Sequence, residues 1–124
     1  MIKILYVEDD ELAREIMKKK VEKVLPVEVV AEKDGTKALG RIEEVSAVIL
    51  DTLLFDELGL PQKYSGPEVA RRIHSQKPEL PIFVVGDPIR YPVPVKGYFP
   101  KAEIFLDDEK FAKFIGALKK SLRL

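Results

Sequence analysis

Acidic side chains stand where two apolar runs end: Glu8 and Asp9 follow Ile2–Val7, and Asp51 follows Ser46–Leu50. A lysine, Lys101, follows a further run that ends at Phe99. Brought together, the three carboxylates repel one another, and a divalent hard cation with one lysine restores neutrality. The set therefore points to Mg²⁺, which prefers oxygen ligands and keeps several waters, leaving room for a phosphoryl group opposite the carboxylates. Asp51 is then placed to attack phosphorus and become an acyl phosphate. Each residue alone has a plainer reading: Glu8, Asp9 and Asp10 as helix caps, Asp51 as the start of a loop, Lys101 as a solvated lysine. Only the set is specific.

Composition removes several other chemistries. The chain of 124 residues is one domain long, so residues 1–124 are expected to form a single unit, and 46% apolar residues are enough for a buried core. Twenty-one basic and 21 acidic residues balance, so no net field draws the chain to nucleic acid or to an anionic membrane. Lys18-Lys19-Lys20 and Lys119-Lys120 fan over different directions of a helix and read as solvated faces. Cysteine is absent and His74 is the one histidine, which excludes disulfides, thiol catalysis and multi-histidine metal sites. Neither a membrane-length apolar run nor a signal-peptide pattern occurs, and a cytoplasmic protein is the expectation.

The elements that must position the set follow from periodicity. Ile2–Val7, Val27–Ala31, Ser46–Leu50, Ile82–Val85 and Val95–Phe99 read as strands, the first being apolar throughout, as suits a strand buried on both faces. Helical spacing marks Glu11–Val24, a second helix through Ala38, Leu39, Ile42 and Val45, a third over Glu68–Ser75, and a last helix capped by Asp107 or Asp108. Residues 52–67 form a connection longer than strand-to-helix loops usually are. Between Gly86 and Lys101 lie Pro88, Pro92, Pro94 and Pro100, and each proline inside a helix costs about 3 kcal/mol, so no full helix is expected there. The alternation predicts an α/β fold, a doubly wound five-stranded parallel sheet with four helices, and ligands beyond the carboxyl ends of the strands.

Four segments, Ile4-Leu5-Tyr6-Val7-Glu8-Asp9-Asp10, Val48-Ile49-Leu50-Asp51, Leu80-Pro81-Ile82-Phe83-Val84-Val85 and Gly97-Tyr98-Phe99-Pro100-Lys101, occur in that order. Together they resemble the receiver domain of two-component response regulators. The resemblance runs over essentially the whole chain and implies the flavodoxin-like topology of that family, with its fourth helix missing or reduced here. It implies that Asp51 is the phosphoacceptor, that Glu8 and Asp9 bind Mg²⁺ with it, and that the Leu53 backbone carbonyl completes the protein ligands. It also assigns Lys101 to the phosphoryl group and Tyr98 to the aromatic whose rotamer reports activation. The implied donor is a histidine kinase or phosphotransfer protein, and the output is contact with another protein.

Two departures bear on that reading. The family places Ser or Thr at the end of strand four and a small residue after it, where this chain has Gly86 and Asp87. Asp87 adds negative charge beside an anionic group, a repulsion approaching about 4 kcal/mol at 4 Å and an effective dielectric near 20. Gly86 offers no hydroxyl, but its permissive backbone lets the 87–100 segment move, and Gly86→Ala is expected to blunt that motion while sparing metal affinity. The resemblance therefore implies a phosphorylated receiver, with a pseudo-receiver that signals by protein binding without phosphorylation as the alternative. Against a haloacid dehalogenase phosphatase, position 53 is Leu where that class has a second aspartate, and no cap domain fits.

Overall fold

The computed structural model describes residues 1–124. Five parallel strands, β1 (Ile2–Val7), β2 (Val27–Glu32), β3 (Ala47–Leu50), β4 (Ile82–Val85) and β5 (Tyr98–Phe99), form one sheet in the order β2-β1-β3-β4-β5. This is the doubly wound, flavodoxin-like order, and its central strands are buried on both faces. Along β1, Leu5 and Val7 join one core cluster while Ile4 and Tyr6 join the other. That division is the physical meaning of an uninterrupted apolar run.

One face is covered by α1 (Glu11–Val24) and α5 (Asp108–Leu122), which contribute Met17, Val21, Phe114, Ile115 and Leu118. The other face carries α2 (Gly35–Ala38), the 3-10 helix Leu39–Glu44 that continues it, and α3 (Gly66–Gln76), with Ile42, Val69, Ala70 and Ile73 inward. The second helix is thus a single α turn running into 3-10 geometry rather than one α-helix reaching Val45. Glycines at 35 and 40 weaken α-helical propagation over so short a span. The third helix starts two residues before the expected Glu68, because Ser65 caps it by accepting from the Glu68 amide and Pro67 fits its first turn.

Two further expectations are corrected. The last strand shrinks from Val95–Phe99 to Tyr98–Phe99. Val84 N donates to Gly97 O at 3.0 Å, a register in which Gly97 N would serve Ile82 O, but Lys96 N takes that place at 2.8 Å, so the ladder slips by one residue and the chain bends at Lys96 before regular pairing begins at Tyr98. The helix count is five rather than four, since Lys101–Leu106 forms a short helix, α4, that buries Ile104. Asp107 ends α4 by donating its amide to Glu103 O and caps α5 by accepting from Glu109 N and Lys110 N. Between β4 and β5, as the prolines require, no residue is helical. No helix is long and apolar enough to cross a membrane.

Candidate functional site

The carboxyl ends of β1 and β3 and the start of α4 meet at one cleft of about 470 Å³. At its floor, Glu8, Asp9 and Asp51 each offer a carboxylate oxygen, and these oxygens lie within 4.8 Å of one another. The three consecutive acids after β1 divide their work. Asp10 is the cap of α1, accepting from Ala13 N at 2.8 Å, which leaves Glu8 and Asp9 free for the cleft. Arg14, a turn into α1, donates to the carbonyls of Glu8 and Asp9 at 2.9 and 2.8 Å and fixes the backbone that carries them.

Glu8 is fully buried, and its position is over-determined: Tyr6 donates its hydroxyl to Oε1 at 3.0 Å and Asp10 N donates to Oε2 at 3.1 Å. Lys101 Nζ bridges Glu8 Oε1 at 2.5 Å and Asp51 Oδ2 at 3.2 Å. Asp51 Oδ1 accepts from the amide of Thr52 at 2.9 Å, and Asp9 Oδ2 accepts from Phe55 N at 3.3 Å. Burial pushes the Glu8 carboxyl above its ordinary range, with the charge of Asp51 adding to it, and burial followed by Glu8 does the same to Asp9. Asp51 is raised by burial against the opposing pull of Lys101. Burial alone would lower Lys101, but the hydrogen bond and charge of Glu8, with Asp51, outweigh it and hold the amine above the usual lysine range. Three negative charges therefore face one cation, an excess that a second hard cation would relieve.

No family model matches the chain, and no curated protein does. Solved structures do. The signal receiver domain of an HD domain-containing protein from Pseudomonas fluorescens Pf-5 is 22% identical with a TM-score of 0.76, the match covering 99% of this chain and 98% of that one. The non-phosphorylated HemR receiver domain from Leptospira biflexa is 20% identical with a TM-score of 0.74, over 100% and 96%. The RcsB response regulator of Salmonella typhimurium is 21% identical with a TM-score of 0.73, over 96% of this chain and 60% of that one. The chain has the receiver-domain fold. Identities at this level establish the fold, and the chemistry must be argued from the residues.

On that receiver fold, Leu53 and Asp87 line the same cleft as the acidic group, and both side chains are exposed. Tyr98 is not in the cleft; it is 40% exposed, and its hydroxyl accepts from Tyr91 N at 3.2 Å. Gly86 stands against Asp51, and a Cβ there would overlap Asp51 Oδ1 and come within 3.2 Å of Thr52 N. Gly86→Ala would thus displace the carboxylate itself, so the expectation that this change spares metal affinity does not survive the geometry.

Two residues at the site were not singled out in the sequence. Thr52 is 1% exposed and its hydroxyl donates to Asp87 O at 2.9 Å; Tyr91 is 5% exposed with its hydroxyl 3.0 Å from Thr52 Oγ1. A threonine hydroxyl has one proton, and Asp87 O takes it, so the Tyr91 hydroxyl is the donor of the second bond. The signal for Tyr91 was present: a large aromatic between Pro88 and Pro92 has no helix or strand of its own to bury it and must pack elsewhere.

Proposed function

We propose that this chain is a signal-transduction receiver that is phosphorylated on Asp51, with Mg²⁺ held by Glu8, Asp9, Asp51 and the Leu53 carbonyl. The observation that carries the reading is the convergence of three carboxylates with raised pKa values on one cleft beside Lys101. The donor set is all oxygen, which fits Mg²⁺ in preference to softer ions. When bound, the ion supplies charge neutralisation for an incoming phosphoryl group.

The residues of the chain do the rest. An Asp51 carboxylate oxygen attacks phosphorus as the bond from phosphorus to the donor's imidazole nitrogen breaks, and that nitrogen takes a proton. Lys101 already bridges Glu8 and Asp51, so its ammonium is in place to follow the negative charge from carboxylate to phosphoryl oxygen. Thr52 N holds Asp51 Oδ1 and limits the directions from which the nucleophile can be presented. The donor is a histidine kinase or a histidine phosphotransfer protein, and the output is contact with a protein partner.

Titration with Mg²⁺, with and without beryllofluoride, followed by amide NMR, tests the reading. Resonances of Glu8, Asp9, Asp51 and Leu53 are expected to shift with Mg²⁺, and Asp9→Ala is expected to weaken binding by about tenfold or more. A silent site at several millimolar Mg²⁺ would sink it. One observation favours the pseudo-receiver in that event: Tyr6 and Lys101 already satisfy Glu8, so the fold can hold its acids without metal.

A further inference from the structure

The hydroxyls of Thr52 and Tyr91 stand between Asp51 and the non-helical segment 86–97. Thr52 follows Asp51 directly and is tied to it by its own amide, which donates to Asp51 Oδ1 at 2.9 Å. Its hydroxyl reaches the opposite way, to Asp87 O at 2.9 Å and to the Tyr91 hydroxyl at 3.0 Å. Tyr91 in turn donates its amide to the Tyr98 hydroxyl, and the two rings meet edge to face at 5.9 Å. A continuous set of bonded groups thus runs from a carboxylate in the cleft to an exposed aromatic on the edge strand.

The packing leaves these groups little freedom to move separately. Gly66 donates its amide to Thr52 O at 2.9 Å, and a Cβ on Gly66 would lie 2.7 Å from the Tyr91 hydroxyl oxygen and 2.8 Å from Thr52 Cα. The start of α3 therefore closes the slot that holds both hydroxyls. On the far side, Tyr91 joins the core cluster of Val69 and Val84, with Val93 and Val95 packed against it. The segment itself contains one internal backbone bond, from Ile89 N to Asp87 O. Its ends are tied to the sheet through Gly86, Lys96 and Gly97, and between them its shape is set by where Tyr91 is held.

We propose that Thr52 and Tyr91 form a hydroxyl link through which the state of the Asp51 carboxylate sets the conformation of segment 86–97. If Oδ1 is engaged elsewhere or removed, the buried Thr52 amide loses its acceptor, Thr52 shifts to find another, and its hydroxyl carries Asp87 O and Tyr91 with it. Thr52 and Tyr91 act here as positioning residues. The inference deepens the receiver reading by naming the route by which Asp51 speaks to a surface, but its test needs neither a cation nor a phosphoryl group, so the two can fail separately.

The test compares the full chain with Asp51→Ala in three backgrounds, wild type, Thr52→Val and Tyr91→Phe, by amide chemical shifts and hydrogen exchange. In the wild-type background, Asp51→Ala is expected to shift the amides of residues 89–91, 93 and 95–98. In Thr52→Val and in Tyr91→Phe those shifts are expected to fall at least severalfold, and Thr52→Ser is expected to restore them. Loss of one hydroxyl is also expected to speed exchange of the 89–97 amides by about tenfold while β1 and β3 stay protected. Shifts of undiminished size in both hydroxyl variants would show that Asp51 acts through the adjoining Gly86 backbone and would overturn the link. An Asp51→Ala chain with 89–98 unchanged would overturn it as well. Should Thr52→Val not fold, Tyr91→Phe decides alone.

Discussion

Residues 52–65 and 86–97 border the same cleft and are held by different means. In the first connection Asp56 accepts from the amides of Leu58 and Leu60, Asp56 N donates to Leu60 O, and Phe55 pairs with Pro61. Gln62 then fastens the loop by donating to Lys33 O and Phe55 O while accepting from Gly35 N. The second connection has one internal backbone bond and is held by groups outside itself, chiefly the slot around Tyr91. A loop that closes on its own polar groups keeps its shape when a neighbour moves, whereas a segment fastened from outside, at its ends by β4 and β5 and in its middle by Thr52 and the slot around Tyr91, takes its shape from the places of fastening.

The contrast makes unequal demands on single substitutions. Tyr91→Ala, which empties a site 5% exposed, is expected to lower unfolding stability by about 3 kcal/mol and to loosen the whole of 86–97, read by chemical denaturation and hydrogen exchange. Asp56→Ala removes exposed turn bonds and is expected to cost within about 1 kcal/mol, with faster exchange confined to residues 57–61. If Asp56→Ala loosened both connections equally, the division between them would be wrong.

Acidity tests the cleft that the two connections share. Glu8, Asp9 and Asp51 have folded-state pKa values raised above their ordinary ones, so their contribution to stability is full below the ordinary carboxylate range and is lost as pH rises through the raised values. The chain without metal is therefore expected to gain thermal stability as pH falls from 7 toward about 5, and Mg²⁺ to flatten that slope while binding more weakly at the acid end. Glu68 runs the other way, since its hydrogen bond with Arg71 and then Arg72 holds its carboxyl at about 2, so its contribution is lost only as pH falls toward that value. A slope of opposite sign would show the three carboxylates to be better solvated than their burial implies. The smallest expected effect is that of Asp87→Ala, which should speed labelling of Asp51 by acetyl phosphate only a few-fold, because an exposed charge is screened to about 1 kcal/mol or less.

Much of this arrangement was legible in the sequence because it depends on strong local patterns. Strands buried on both faces leave unbroken apolar runs, and the topology then fixes which strand ends converge, so Glu8, Asp9, Asp51 and Lys101 were recognisable as a group. What was missed depends on distant partners. The late start of β5 follows from a one-residue slip at Lys96 and Gly97 that only the pairing with β4 shows, and α4 was hidden because six residues carry too little periodicity to separate from α5. Thr52 looked like an ordinary loop residue, since its importance comes from Tyr91, which is 39 positions away. Arg14 likewise reads as one charge on an amphipathic helix until its two carbonyl partners are seen.

Asp107 closes α4 with its amide and opens α5 with its carboxylate, so the angle between the two helices rests on the two backbone torsions of one residue. Neither helix needs to break an internal hydrogen bond for that angle to change. Lys101 is the residue at the opposite end of α4, about 9 Å away at 1.5 Å of rise per residue. With Phe99 held in β5, a rotation of about 20° at Asp107 accompanied by a turn at Pro100 would swing that end by about 3 Å, enough to draw the ammonium out of contact with Glu8 and Asp51. The lysine that balances the acids thus stands on a short helix strung between β5 at one end and a single-residue hinge at the other, and Ile104 and Phe105, packed against the core, resist the swing together with Lys20, which donates to Phe105 O.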